Sequence, residues 1–99
     1  MDGSKLNRPQ RSRHAHDQHV YGILIRMYWN DHPPPHFHAE YVEFEAQINI
    51  QTLEIIRGRL PTGAMILVKE WGLQYRNELM EDWKLCEQLQ TPKKITPLE

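Results

Sequence analysis

Between Tyr28 and Glu40 the chain gathers Asp31, His32, His36, His38 and Glu40 around the proline run Pro33-Pro34-Pro35. Imidazoles and carboxylates side by side support two kinds of chemistry. Neutral histidines with an acid ligate divalent transition ions, and paired histidines take and give protons. The prolines fix φ and remove backbone donors, so the segment cannot be helical and has few shapes to sample. A stiff loop loses little entropy when it holds a ligand, which suits a binding or catalytic site.

Spacing sharpens both readings. His36 and His38 lie two apart in a segment expected to be a strand, so both rings project from one face, and Glu40 continues that face. Asp31 and His32 approach from the far side of the proline turn. His32, His36, His38, Glu40 and Asp31 are therefore the candidate ligands of a zinc, manganese or iron ion. In the metal-free alternative, His36 and His38 act as base and acid in RNA cleavage. Arg26 on the neighbouring strand would then face the phosphate, and Tyr28, on the same face, would donate a hydrogen bond. Glu40, Glu43 and Glu45 oppose this second reading, because they repel a polyanion. Cys86 is the only cysteine, which excludes an internal disulfide and a cysteine-rich zinc site. No glycine-rich phosphate loop is present.

The elements that must hold these residues follow from hydrophobic period. From Val20 to Trp29, Tyr21, Ile23, Ile25, Met27 and Trp29 alternate with Gly22, Leu24, Arg26 and Tyr28, which predicts a strand. His36 to Tyr41 reads as a second strand, Phe44 to Ile50 as a third and Leu53 to Arg57 as a short fourth ended by Gly58. Glu40 to Glu43 forms the hairpin turn, although Val42 is poor turn chemistry. After Pro61 the period becomes three and four. Ala64, Leu67, Val68, Trp71, Tyr75, Leu79, Trp83 and Cys86 predict one amphipathic helix of about seven turns. Pro61 and Thr62 suit its start, Gly72 is a weak point within it, and Pro92 bounds it. The expected fold is α+β: a small antiparallel β-meander of about four strands against one long C-terminal helix. The stripe Tyr75, Leu79 and Trp83 mainly packs the core, and Trp83 is expected to overhang the sheet as a surface for a protein partner or a second copy.

A chain of 99 residues fits one domain, here residues 20–99. Residues 1–19 carry Lys5, Arg8, Arg11, Arg13, His14, His16 and His19 and almost no apolar side chain, so they are expected to be a disordered basic extension. Nucleic acid is the candidate partner of that tail, yet the net charge of −1 lacks the basic domain that polyanion binders usually carry. No apolar run is long enough to span a bilayer and no signal-peptide core follows Met1. The expectation is a cytoplasmic protein with no membrane partner.

The run from Tyr21 to Tyr41, with Tyr28-Trp29-Asn30-Asp31-His32-Pro33-Pro34-Pro35-His36-Phe37-His38-Ala39-Glu40 at its centre, resembles the signature of the small bacterial and phage family called domain of unknown function 4160. The likeness continues through Gly58-Arg59-Leu60-Pro61, Glu70-Trp71 and Lys94-Ile95-Thr96-Pro97-Leu98. It implies a small protein often encoded beside another short one, and a toxin–antitoxin or mobile-element component. In that family a glycine is usual where this chain has Val42, which predicts a looser or shifted hairpin here. Residues 1–19 are an addition to the family pattern. The resulting expectation is a small binding or regulatory module acting with a partner protein. The alternative is an RNA-cleaving toxin or metal-dependent hydrolase using His36 and His38.

Overall fold

The structure, a computed structural model, describes residues 14–95. Five antiparallel strands run in chain order: β1 (His14–Val20), β2 (Ile23–Tyr28), β3 (His36–Tyr41), β4 (Phe44–Asn49) and β5 (Ile55–Arg59). Two helices follow, α1 (Thr62–Gln74) and α2 (Arg76–Glu87). The class is α+β, as the change of period predicts, with one strand more and a helix in two pieces.

The additional strand is β1. Six of its residues lie in the stretch expected to be disordered, and residues 1–13 lie outside the described residues. Polar alternation hides an edge strand, because only one neighbour and one face need be satisfied. Val20 and Gln18 are buried here. Gln18 replaces an apolar anchor with two hydrogen bonds to the backbone of Ile95: its amide nitrogen donates to the carbonyl, and its oxygen accepts from the N–H at 3.0 Å. The strand predicted over Val20–Trp29 is accordingly divided. Tyr21 and Gly22 turn the chain with φ of 54° and 78°, and β2 begins at Ile23.

Ile23, Ile25, Met27, Phe37, Ala39, Ala46 and Ile48 form the apolar face of the sheet, all at most 3% exposed. Helix α1 buries Ala64, Val68 and Trp71 against the core, with Trp71 edge-on to Phe37 at 6.1 Å. Gly72 has a packing role: a Cβ there would lie 2.7 Å from a methyl of Leu53. The predicted single helix breaks at Tyr75, where φ is −114° and ψ 27°. Length explains the break. A straight helix from Ala64 to Cys86 would extend about 33 Å, whereas a six-residue strand covers only about 20 Å. Turning at Tyr75 lets α2 bury Leu79, Trp83 and Cys86 in the same core.

That turn removes the expected partner surface. Trp83 is 4% and Leu79 1% exposed, while Tyr75 is half-buried beside Trp71. The stripe is interior. The hairpin at Val42 is tight rather than loose: Tyr41 pairs with Phe44, and Val42 adopts φ 55°, the conformation that explains a preference for glycine there.

Candidate metal centre

The loop between β2 and β3 is held at both ends before any side chain of the site is placed. Asn30 N–H donates to the Cys86 carbonyl at 3.1 Å, and the Trp29 indole N–H donates to the Gln90 carbonyl at 3.2 Å. At the other end Ile50 N–H donates to the Pro35 carbonyl at 3.0 Å. These bonds tie the proline loop to the end of α2 and to the turn after β4. Asp31 is thereby set over the start of β3, where His36 and His38 leave the strand on the face opposite Phe37.

Asp31, His36 and His38 converge, with one ligand atom from each lying within 4.8 Å of the others. Asp31 Oδ2 is 3.0 Å from His36 Nε2 and 3.2 Å from His38 Nε2. The two rings have centroids 5.1 Å apart. Imidazoles bound to one tetrahedral ion through nitrogens about 2.0–2.1 Å away have centroids roughly 5 Å apart, so the pair is already spaced as ligands. Both histidines are buried, at 3% and 7% exposure. Trp83 lies 5.2 Å from the His36 ring, and Tyr28 meets His38 edge-on at 4.5 Å.

Hydrogen bonding decides what the nitrogens offer. His36 Nδ1 is 2.7 Å from the Pro34 carbonyl, which can only accept, so the proton sits on Nδ1. That leaves His36 Nε2 at 3.0 Å from Asp31 Oδ2. Among the described residues His36 Nε2 has no hydrogen-bond partner, since the nearby Asp31 oxygen lacks the alignment of a hydrogen bond. His38 Nδ1 is also without one; its nearest carboxylate is Glu45 at 4.0 Å. Buried polar atoms left unpaired are costly, and a cation among the three residues would give the His36 nitrogen a partner. The carbonyl behind Nδ1 is also the usual second-shell arrangement of a metal-bound histidine.

Protonation is consistent with that use. Burial pushes the Asp31 carboxyl up, but the His38 bond, the His36 ring and the His32 backbone N–H together hold it below the usual carboxylate range. Burial pushes His38 down, and the Asp31 bond does not fully offset it. An ionised Asp31 beside a His38 held toward its neutral form is the state in which these two groups bind a metal.

The remaining expected site residues stand elsewhere. Glu40 shares the face of His38 but binds Arg26 at 3.3 Å, outside the cluster. Arg26 also donates to Asp17 at 2.9 Å, so its guanidinium is held between two carboxylates and does not face a free phosphate site. Tyr28 packs on His38. His32 is 85% exposed, with Nδ1 3.2 Å from Asp31 Oδ1. Sequence reading missed the Pro34 carbonyl, Trp83 and Glu45. Only Glu45 had a signal, its place in the strand after the hairpin, where the register sets it opposite Glu40.

A five-stranded meander backed by two helices, with a half-buried carboxylate and two buried imidazoles brought together, defines a small α+β domain with a cluster that could hold a metal ion. The family model described as domain of unknown function (DUF4160) matches residues 22–84, and the chain belongs to that family. The match takes in Asp31, His36 and His38 and leaves out β1. Among curated proteins and solved structures nothing matches. No helix among the described residues is long and apolar enough to cross a membrane.

Proposed function

We propose that this protein is a small metal-dependent binding module, in which Asp31, His36 and His38 hold a divalent transition ion. The observation that carries the reading is the buried His36 Nε2, which has no hydrogen-bond partner although Asp31 Oδ2 lies 3.0 Å away, while the Pro34 carbonyl holds the proton on Nδ1. Bound there, the ion would clamp the proline loop onto β3. Through Asn30 and Trp29 that clamp reaches the end of α2 and the residues after it. Loop geometry would then depend on metal, which fits a regulatory component acting with a partner protein, as in a toxin–antitoxin or mobile-element pair. With Trp83 buried, the partner's contacts belong on exposed apolar side chains instead. Tyr21, Tyr41 and Ile66 line a groove of about 490 Å³ beside the N-terminal half of α1. The nuclease alternative gains nothing from Arg26, which is already occupied by Asp17 and Glu40.

The test is metal content after dialysis against zinc, manganese or iron(II), with tryptophan emission as a second readout because Trp83 lies against His36. The wild-type protein should retain one ion per chain and change its emission on loading. His36→Ala and His38→Ala should do neither while remaining folded by circular dichroism. A wild-type chain that retains no ion, or a His36→Ala variant that retains as much as wild type, overturns the reading.

A further inference from the structure

Three protein ligands leave a tetrahedral ion one position short, and His32 stands at the rim of the cluster. His32 follows Asp31 directly, and its backbone N–H donates to Asp31 Oδ1 at 2.9 Å. Its ring nitrogen Nδ1 is 3.2 Å from the same oxygen, across the carboxylate from the Oδ2 that meets His36 and His38, so it reaches the ion only by turning inward. Its ring centroid lies 6.2 Å from that of His36, about 1 Å beyond the separation of His36 and His38. With 85% of the side chain in solvent, no packing resists a rotation inward. The carboxylate divides its oxygens accordingly, Oδ2 toward His36 and His38, Oδ1 toward His32.

Resting on the reading of Asp31, His36 and His38 as ligands, we propose that the ion is zinc and that His32 is its fourth, exchangeable ligand. Three imidazoles and one carboxylate suit zinc, whereas manganese and magnesium favour oxygen-rich octahedral sites. The orphaned Nε2 of His36, in a side chain only 3% exposed, points to a ligand in this cluster. With His32 inward the site is closed, as in structural and regulatory zinc centres. With His32 outward, as it stands here, the fourth position admits water or a ligand from a partner. His32 is thus the residue that decides between a closed module and an open centre.

X-ray absorption on the zinc-loaded full chain counts imidazoles at the metal, and the variants are His32→Ala, His32→Gln and, as a control, His19→Ala on β1. We expect three imidazoles in wild type and His19→Ala, and two in both His32 variants. Zinc affinity of the His32 variants should fall by at least the roughly 10- to 100-fold that loss of an outer-shell partner costs. Two imidazoles in wild type and in His32→Ala, with zinc still bound, overturn the role of His32 and leave the three-residue centre standing. No zinc in wild type overturns both. Tighter binding of manganese than of zinc overturns the choice of metal.

Discussion

Two polar clusters sit within one strand of each other on the same face of the sheet, and they are built on opposite principles. Around Arg26, Asp17 and Glu40 supply a carboxylate on each side, at 2.9 and 3.3 Å, and all three side chains reach solvent. One cation faces two anions, and burial of the guanidinium is offset by its two acids, which hold it above its ordinary range. Around Asp31 the side chains are more deeply buried, yet two ring nitrogens have no hydrogen-bond partner among the described residues. A complete network serves the sheet. An incomplete one, kept in the interior at a cost in stability, is where a ligand is expected. The contrast also explains why Glu40, on the ligand face by parity, is no ligand: Arg26, directly across from His38, claims it.

The largest expected effect comes from filling or emptying the incomplete cluster. Zinc at a hundred times its dissociation constant should stabilise the chain by about 2.7 kcal/mol. For a domain of this size that raises the melting temperature by roughly 10 °C or more. Chelator should reverse the rise, and His38→Ala should abolish it. A melting temperature indifferent to zinc and chelator would put the two clusters in the same structural category.

A smaller effect is expected from acid in chelator-treated protein. His38 is held below 6.5 and Asp31 below 3.8. For each group the unfolded chain binds the proton first, so stability rises with pH between the folded and unfolded values. The His38 contribution is complete above about pH 6.5 and is lost as pH falls through its lower folded value. That of Asp31 is lost below about pH 3.8. Urea unfolding between pH 7.5 and 4 should show a decline beginning near 6.5 that His38→Gln removes. Persistence of the decline in that variant would assign it to another group.

The smallest effect belongs to the complete cluster. Arg26→Met should cost about 1 kcal/mol or less, given the partial exposure of its partners, and should leave zinc content unchanged. A loss of zinc in Arg26→Met would show that the two networks are coupled through Glu40 and erase the distinction between them.

What the sequence determined by itself was local. The periods of two and of three to four placed β2, β3, β4 and the helical region, because burying one face of a strand or helix writes itself into alternating residues. Parity put His36 and His38 on one face, and the proline run marked the loop that carries Asp31. Edge strand β1 left no such trace, since Gln18 reaches the core by hydrogen bonds to Ile95 instead of apolar contact. The helix break at Tyr75 was equally silent, because it answers to the length of the sheet rather than to any residue near it. Among five candidate ligands, local spacing did not separate Asp31, His36 and His38, which converge, from Glu40, which Arg26 claims, and His32, which stands at the rim. That choice was made by contacts across the chain: Asn30 to the Cys86 carbonyl, Arg26 to Glu40, and Trp83 against His36. Such contacts depend on where the elements pack in three dimensions, and packing is decided only when the whole core closes.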